Sequence, residues 1–391
     1  MDDQNAAGAR VAATADHPAE PVVAPVKERL QSLDVFRGFT LLGMVLVNSH
    51  PGKIFPGLGH ASWNGWGFAD LIFPFFVFIV GVAMPYSFAS RLARGDSHSK
   101  LFWQALRRSV LLFVVGVFLN GYPQFDLATL RVMNVLQRIA ICYFLASILY
   151  VHLRLTARSM VWLCGTILVL YFVLMKFVPV PGFGAGVLEP VGNWGNYIDQ
   201  LVMPGRLGHK TWESKSLLGC VPALVTMLMG LLTGIYLRTR RPAYEKLANL
   251  YFYGSLCMAA GVIWTPWFPI NQHLWTSSLV LFMGGVALVG LATCYYIVDV
   301  RKVTWWTLPF LIFGVNSIAV WVFSQLGMKT LMAIQTVAPD GTATNLWKAG
   351  GDILSRHLGE MGGPFVFAVL FDLFWLGVMG ILYWRRIFIK L

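Results

Sequence analysis

Long apolar runs separated by short polar segments make up most of this chain of 391 residues. A helix that crosses the hydrocarbon core of a bilayer needs about 20 mostly apolar residues. Ten stretches suit that length: residues 33–49, 68–89, 101–120, 132–152, 159–178, 216–237, 247–265, 275–297, 304–326 and 363–384. The pattern therefore predicts an all-α integral membrane protein, built as a bundle of about ten transmembrane helices.

Composition agrees with this class of protein. Hydrophobic residues make up 57% of the chain and charged residues 12%, and the mean hydropathy is +0.64, which lies outside the range of soluble globular domains. The five cysteines lie inside apolar runs without a CxxC spacing, so they read as buried thiols. Neither a disulfide framework nor a metal site is predicted.

The net charge of +12 would suggest a nucleic-acid partner in a soluble domain, but here it indicates membrane orientation and no such partner. Cations favour the cytoplasmic side of a membrane. They cluster after the even-numbered spans, as Arg91, Arg94, Lys100, Arg107, Arg108, Arg154, Arg158, Arg238, Arg240, Arg241, Lys246, Arg301, Lys302, Arg385, Arg386 and Lys390. Both termini are therefore predicted to be cytoplasmic. Residues 1–30 read as a disordered cytoplasmic tail, ahead of a membrane domain over 31–391.

The segment between the first two spans, Val47 to Asp70, carries the densest set of candidate groups. An imidazole such as His60 exchanges protons near neutral pH, while Asn48 and Asp70 lie at the two helix ends that the loop joins. Each has a simpler interpretation: His60 could bond a loop carbonyl, and the other two could cap their helices. Their convergence on one Gly-rich loop favours a site on the exterior side.

Polar groups at membrane depth are costly and are therefore candidates too. Arg138 either pairs with a buried carboxylate or holds an anionic substrate group, and Asn316 either bonds a neighbouring helix or lines a site. Asp372, inside the last predicted span, and Asp34 with Arg37, at the cytoplasmic end of the first, are expected to form structural ion pairs. Trp63, next to Asn64, fits a membrane-interface belt or a platform that stacks on a sugar ring.

No P-loop, GxGxxG, HExxH or GxSxG motif stands in a suitable context, so nucleotide hydrolysis, dehydrogenase and metalloprotease activities are not indicated. Six blocks are nevertheless distinctive: SLDVFRGFTLLGMVLVN, HASWNGWGFADLIFPFFVFIVG, VLQRIAICYFLA, WESKSLLG, FPINQHLWTSSLV and PFLIFGVNSIAVWV. Together they resemble the heparan-alpha-glucosaminide N-acetyltransferase family, including its bacterial inner-membrane homologues. The resemblance implies a multi-pass protein of that membrane. It also implies transfer of an acetyl group from cytosolic acetyl-CoA, as co-substrate, to the amine of a glucosamine on the far side.

The resemblance also implies roles for individual residues. The positions that match the family's motifs are His60, Asn48, Asp70, Arg138, Glu213 and Asn316, with His60, Asn48 and Asp70 as catalytic groups. Glu213, Arg138 and Asn316 are implied in binding substrate or CoA, together with Trp63 and Asn64 of the HASWNG block. The chain departs from the lysosomal members by lacking their large lumenal N-terminal region and its extra span. It also has Ser49-His50-Pro51 where those members have an aromatic residue and glycines.

Two functions are compatible with these residues. In the first, an acyltransferase, His60 acts as general base for an attacking amine or as a nucleophile that carries the acetyl group, while Asn48 steadies the oxyanion. In the second, a transporter or transport partner binds an amino sugar without chemistry. An imidazole beside an amide favours the enzyme. The expected partners are an amino sugar or glycoconjugate and the lipid bilayer, with a homodimer as one possible assembly.

Overall fold

The computed structural model describes residues 30–337 and 341–389, so the tail predicted over residues 1–30 lies outside it except for Leu30. The described part contains twelve α-helices: α1 (Gln31–Asn48), α2 (Phe68–Leu92), α3 (His98–Gly121), α4 (Val135–Ser147), α5 (Ala157–Phe177), α6 (Trp194–Val202), α7 (Cys220–Leu237), α8 (Ala243–Trp264), α9 (Ser277–Cys294), α10 (Leu308–Val315), α11 (Ser317–Ala333) and α12 (Leu346–Trp384). Short π-helical turns, Ile148–His152 and Tyr295–Val300, extend α4 and α9. An antiparallel pair, β1 (Gln335–Val337) and β2 (Ala343–Asn345), precedes α12.

The predicted all-α membrane class is confirmed. In the described residues, eight helices are long and apolar enough to cross a membrane: α2, α3, α5, α7, α8 and α12, and α4 and α9 together with their π-helical extensions. The pair α10–α11 would make a ninth span if it counts as one, whereas α1, although helical where predicted, is not among them. The count of ten spans and the cytoplasmic placement of the termini therefore stay predictions.

The last two predicted spans differ from the observed helices. The helix expected over 304–326 bends by 85° at Asn316, whose φ of −114° and ψ of 35° are not helical. Helix α12 starts before the predicted 363–384 and is interrupted at Gly359, where φ is 77° and ψ is 171°. Its first part folds back on the second, so that Trp347 packs edge-on against Phe367 at 4.8 Å between ring centroids.

Two predicted ion pairs have opposite outcomes. Arg37 and Asp34 on α1 pair as expected, with Nη1 and Oδ1 3.0 Å apart. The ion pair predicted for Asp372 is wrong, because this carboxylate is buried and neither oxygen has a hydrogen-bond partner in the described part of the chain. The sequence pattern marks an acidic residue inside an apolar helix, but it does not identify what faces it.

Helices α2 and α7 form the centre of the bundle. Their most apolar windows are 78% and 72% buried, against 28% for α5 and 22% for α8, which lie at the lipid-facing edge. Glycines let the two central backbones touch: a Cβ on Gly81 would lie 2.1 Å from the carbonyl oxygen of Met227, and one on Gly230 would lie 2.0 Å from that of Phe78. Small residues at such crossings are the usual means of close packing in membranes.

Replacing Gly230 with valine is expected to lower the melting temperature of the detergent-purified protein. The added side chain would push α7 away from α2, and overpacking of this kind costs about 1–3 kcal/mol. Gly165→Val on α5 is the matched control, since a Cβ at that glycine meets no atom within 4 Å. Equal melting temperatures for the two variants would contradict the close crossing.

Candidate active site

The loop between α1 and α2 folds onto the first turn of α2. Gly67 precedes that helix, and a Cβ at this position would lie 2.1 Å from the carbonyl oxygen of Gly59, so only glycine permits the approach. The Gly57 carbonyl accepts a hydrogen bond of 2.7 Å from the Phe68 N–H, one of the amides that a helix start leaves without an internal partner. The loop is thereby fixed with His60 beside the helix N-terminus.

His60 and Asp70 form a hydrogen-bonded dyad in which Nδ1 lies 2.6 Å from Oδ1. The other carboxylate oxygen, Oδ2, accepts bonds of 2.9 Å from the N–H groups of Ala61 and Gly67. An ionised carboxylate only accepts hydrogen bonds, so in the neutral imidazole Nδ1 carries the proton and Nε2 keeps its lone pair. The His60 side chain is 43% exposed and that of Asp70 3%, so a buried acid orients an accessible base.

Aromatic rings line the approach to this dyad. The Trp63 ring stacks on the His273 ring at 5.1 Å between centroids and meets the Trp212 ring edge-on at 5.4 Å. His209 stacks on the other indole at 4.2 Å. Trp63 is held by its Nε1–H, which donates to the carbonyl oxygen of Leu188 at 3.0 Å. The ring planes are thus fixed by packing on three separate segments of the chain.

The segment between α8 and α9 supports the loop from the opposite side. The Ile270 carbonyl accepts a hydrogen bond of 2.8 Å from the Gly65 N–H, and the Asn271 amide donates to the side-chain oxygen of Asn64 at 3.2 Å. The Asn64 side chain is therefore attached to the scaffold at one atom and exposed elsewhere. These contacts bring the fifth block of the distinctive sequence next to the second.

Asn48, predicted to be catalytic, is the exposed last residue of α1. Its Nδ2 donates to the carbonyl oxygen of Met44 at 2.7 Å, which steadies the amide at the helix end. Helices α1 and α2 pack closely below it, since a Cβ on Gly43 would lie 2.8 Å from the Ile72 side chain. Asn48 and Asp70 therefore occupy the same end of two packed helices.

Arg138 is completely buried on α4. Its Nη2 donates to the carbonyl oxygen of Ser216 at 2.9 Å, and its guanidinium carbon lies 4.9 Å from the ring centroid of Trp275. Nε and Nη1 have no hydrogen-bond partner, and no carboxylate of the described residues forms an ion pair with this side chain. The structure therefore does not supply the carboxylate partner that a purely structural ion pair requires.

Glu213 is fully engaged by the protein. Arg131 forms an ion pair with it, in which Nε lies 2.9 Å from Oε2, and the N–H groups of Gly208 and Lys215 donate at 2.9 Å each. These bonds close the loop before α7. A role in substrate binding stays a prediction for this residue, and its bracing of the loop is the role visible in the fold.

Asn316, also predicted as a binding residue, is fully buried at the bend between α10 and α11. Its Nδ2 donates to the Ile387 carbonyl at 3.2 Å, and its Oδ1 accepts from the Ile389 N–H at 3.0 Å. The amide thus fixes the segment that follows α12. Its neighbours Val315 and Ser317 line the large cavity described below, so Asn316 shapes that wall from behind.

Two titratable groups near the dyad were not predicted from the sequence. Burial lowers the pKa of Lys215 to about 7, helped by the charges of Arg138 and Arg131. Burial also lowers the pKa of His273 to about 4, helped by Lys215 and His60. The signal available in the sequence was the polar Gln272-His273 pair between two apolar spans. Its neighbours in space, Lys215 and the dyad, are too distant in the sequence for a local pattern to connect them.

A cavity of about 430 Å³ opens at the opposite end of the bundle. Its mouth carries Arg37, Arg91, Arg94 and Arg108, and its deeper wall is formed by apolar side chains that include Met44, Phe76, Val80, Met84, Leu112, Ile139 and Trp321. Along α2 it extends from Arg91 to Phe76, about 22 Å at 1.5 Å per residue. Within the described residues, no group of three or more His, Cys, Asp or Glu is placed to hold a metal ion.

Comparison with known proteins shows which family this chain matches. The model of a family described as "Heparan-alpha-glucosaminide N-acetyltransferase, catalytic" matches residues 29–262. A heparan-alpha-glucosaminide N-acetyltransferase of Homo sapiens is 30% identical over 362 residues, 78% of this chain and 54% of that protein. The Mus musculus protein of the same name is 32% identical over 353 residues, 75% of this chain and 53% of its own. The chain thus spans about half the length of these curated relatives.

Proposed function

Because the chain belongs to the heparan-alpha-glucosaminide N-acetyltransferase catalytic family, we propose that it is a membrane acetyltransferase. It moves the acetyl group of cytosolic acetyl-CoA to the amine of a glucosamine-type sugar on the other side of a bacterial inner membrane. The observation that carries the proposal is the His60–Asp70 dyad, with 2.6 Å between Nδ1 and Oδ1. It lies at the end of the bundle opposite the arginine-rich mouth of the cavity.

His60 acts on the proton of the acceptor. Its Nε2 takes a proton from the amine as the new C–N bond forms, and Asp70 stabilises the resulting imidazolium through Nδ1–H. The thioester carbonyl becomes an oxyanion, which the Asn48 amide at the end of α1 can steady. When the C–S bond breaks, the sulfur of CoA leaves with the electron pair and receives the proton from the imidazolium, so that His60 is ready for another cycle.

The arginine-rich cavity suits the donor. The guanidinium groups of Arg91, Arg94 and Arg108 at the mouth match the phosphates of CoA, because guanidinium binds phosphate with charge-assisted hydrogen bonds, whereas Arg37 already pairs with Asp34. Arg108 in particular has an Nε without a partner. The apolar wall from Val80 to Phe76 suits the long arm that carries the thioester.

The cavity stops short of the dyad. Phe76 at its inner end is six residues from Asp70 on α2, about 9 Å along the helix axis. Between them, Phe73 packs edge-on against Trp275 at 4.9 Å, and both side chains are buried. Delivery of the acetyl group to His60 therefore requires these side chains to move. Asn48 lies one helical turn beyond Met44, which lines the cavity, and so it lies on the way from the cavity to the dyad.

Replacing Arg108 with glutamine is expected to raise the KM for acetyl-CoA about tenfold with a smaller change in kcat. Loss of one charge-assisted hydrogen bond to a phosphate accounts for this size of effect. Arg158→Gln is the control, because this exposed arginine does not line the cavity. Steady-state kinetics at saturating acceptor would measure the effect, and equal KM values for the two variants would remove Arg108 from the donor site.

The decisive experiment follows labelled acetyl groups from acetyl-CoA to glucosamine, using purified full-length protein in proteoliposomes. N-acetylglucosamine should accumulate in the compartment that faces His60 when acetyl-CoA is supplied on the other side. Passage of unmodified glucosamine across the vesicles without any acetyl transfer would instead establish a transporter. Product on the acetyl-CoA side alone would contradict the proposed orientation.

A further inference from the structure

Lys215 and Arg138 both lie beneath the dyad without an ion-pair partner among the described residues. The buried carboxylate of Asp199 lies close enough to interact with the charge of Arg138, but the only hydrogen bond it accepts in the described structure comes from the Leu217 N–H. Lys215 Nζ is 5.4 Å from the ring centroid of Phe73, and the guanidinium carbon of Arg138 is 6.0 Å from the same centroid. Glu213 is engaged by Arg131, and Asp70 by His60. Among the residues that the structure describes, neither of the two cations has an ion-pair partner.

Hydrogen-bond donors around these cations also lack acceptors. Gln272 is 3% exposed; its Oε1 lies 3.5 Å from Lys215 Nζ, while its Nε2 has no partner. Nε and Nη1 of Arg138 are likewise unpartnered. Buried polar groups in proteins are normally hydrogen-bonded. A set of unpaired donors beside the Arg138 guanidinium and the Lys215 amine, which a bound anion would keep protonated, calls for an acceptor-rich, negative group.

The set lies next to the catalytic dyad. Phe73, against which both cations pack, is one helical turn from Asp70 on α2, and Gln272 is adjacent to His273, whose ring stacks on Trp63. The charge of Asp70 favours a higher pKa for Lys215, and the charges of Lys215 and His60 both lower the pKa of His273. Lys215 is half-buried and forms the accessible edge of the set.

On the basis of the proposed transfer function, we propose that Lys215, Gln272 and the unpaired edge of Arg138 form a subsite for an anionic substituent of the acceptor sugar. A sulfate, phosphate or carboxylate supplies the oxygen acceptors that these donors lack, and it offsets the repulsion between the cations. The acceptor class is therefore an amino sugar that carries an acidic group near its amine.

The phosphates of CoA are a poorer match for this subsite. The arginines suited to them are at the far mouth of the cavity, about 22 Å along α2 from its inner end, and Lys215, Gln272 and Arg138 do not line that cavity. Lys215 instead lies close enough to Asp70 of the dyad for the two charges to interact, so an anion bound there is on the dyad side of the bundle. The CoA phosphates and the acidic substituent of the acceptor would thus bind at different positions along the bundle.

The test compares glucosamine with glucosamine 6-phosphate, glucosamine 6-sulfate and muramic acid as acceptors for the purified full chain. At least one acidic acceptor should exceed glucosamine in kcat/KM by about tenfold or more, as expected for a hydrogen bond between charged groups. Lys215→Gln should remove most of that ratio without raising the KM for acetyl-CoA. Lys210→Gln, an exposed lysine of the same segment, should leave the ratio unchanged.

A second variant guards against misfolding. Gln272→Glu places a carboxylate beside Lys215, and this internal anion should abolish the preference for acidic acceptors. An unchanged ratio in both variants, or a raised KM for acetyl-CoA with the ratio intact, overturns the subsite while the transfer function stands.

A wild-type protein that acetylates no amine at all refutes the transfer function itself. The subsite is then decided by ligand-induced stabilisation. If glucosamine 6-sulfate raises the melting temperature of the wild type but not of Lys215→Gln, the subsite is supported. Equal shifts in both proteins, or no shift in either, overturn it.

Discussion

Replacement of His60 with alanine is expected to lower kcat/KM for acetyl transfer by roughly 10²- to 10⁴-fold, the usual contribution of a general base. The protonated amine cannot attack a thioester, and without Nε2 the proton must leave to water. Because the ring is 43% exposed and Asp70 keeps its two backbone donors, the melting temperature should change little. Steady-state acetyl transfer with labelled acetyl-CoA measures the effect.

Two companion variants sharpen this prediction. Asp70→Asn keeps the shape of the dyad, but its amide donates to Nδ1 and so leaves the proton on Nε2, where it blocks the base; a loss of similar order is expected. His50→Ala, in the same loop, should retain activity because His50 bonds only the Gly52 carbonyl in the described structure. Added imidazole should partly restore His60→Ala. If His60→Ala keeps more than about a tenth of wild-type activity, the general-base role is lost.

Replacement of Glu213 with alanine is expected to cost about 3 kcal/mol of stability, the low end for breaking one side of a buried ion pair. Glu213 is fully buried, whereas Arg131 is 27% exposed, so water relieves part of the penalty. The loss also leaves the N–H groups of Gly208 and Lys215 without their acceptor. Thermal or denaturant unfolding in detergent would measure the change.

The exposed Glu189 provides the matched control for this substitution, and Glu189→Ala should behave like the wild type. The double variant Arg131→Ala, Glu213→Ala should be less destabilised than the sum of the single variants, because the two partners share one interaction. Additive losses would mean that the pair contributes little and that Glu213 acts elsewhere.

Apolar length predicted most helices well, since burial in a bilayer demands it. The span predicted over 68–89 is α2, Phe68–Leu92, and the one over 101–120 is α3, His98–Gly121. The bend at Asn316 escaped prediction because it occurs inside a run that is apolar enough to pass as one continuous span. Its amide bonds the segment after α12, a contact that hydropathy does not record. The part of α12 before Gly359 was missed for the opposite reason, because residues such as Arg356 and His357 make its sequence too polar to count as a span.

The candidate site was predictable only where its members are close in sequence. His60 and Asp70 are joined by one short loop, and their convergence was expected from the Gly-rich connection. Lys215 and His273 come to the same place from two distant segments, so no local pattern could reveal them. Glu213 was implied as a binding residue by resemblance, yet the structure shows it engaged by Arg131, a partner that spacing could not identify.

The buried layer of Phe73 and Trp275 between the cavity and the dyad has a consequence for the cell that houses the protein. A channel of water from one membrane face to the other would let protons run down their gradient and waste the energy stored there. In the described conformation this buried aromatic layer lies between the arginine-lined cavity and the dyad, where it would block such a channel. We therefore expect variants that thin the layer, such as Phe73→Ala, to let protons leak across the membrane.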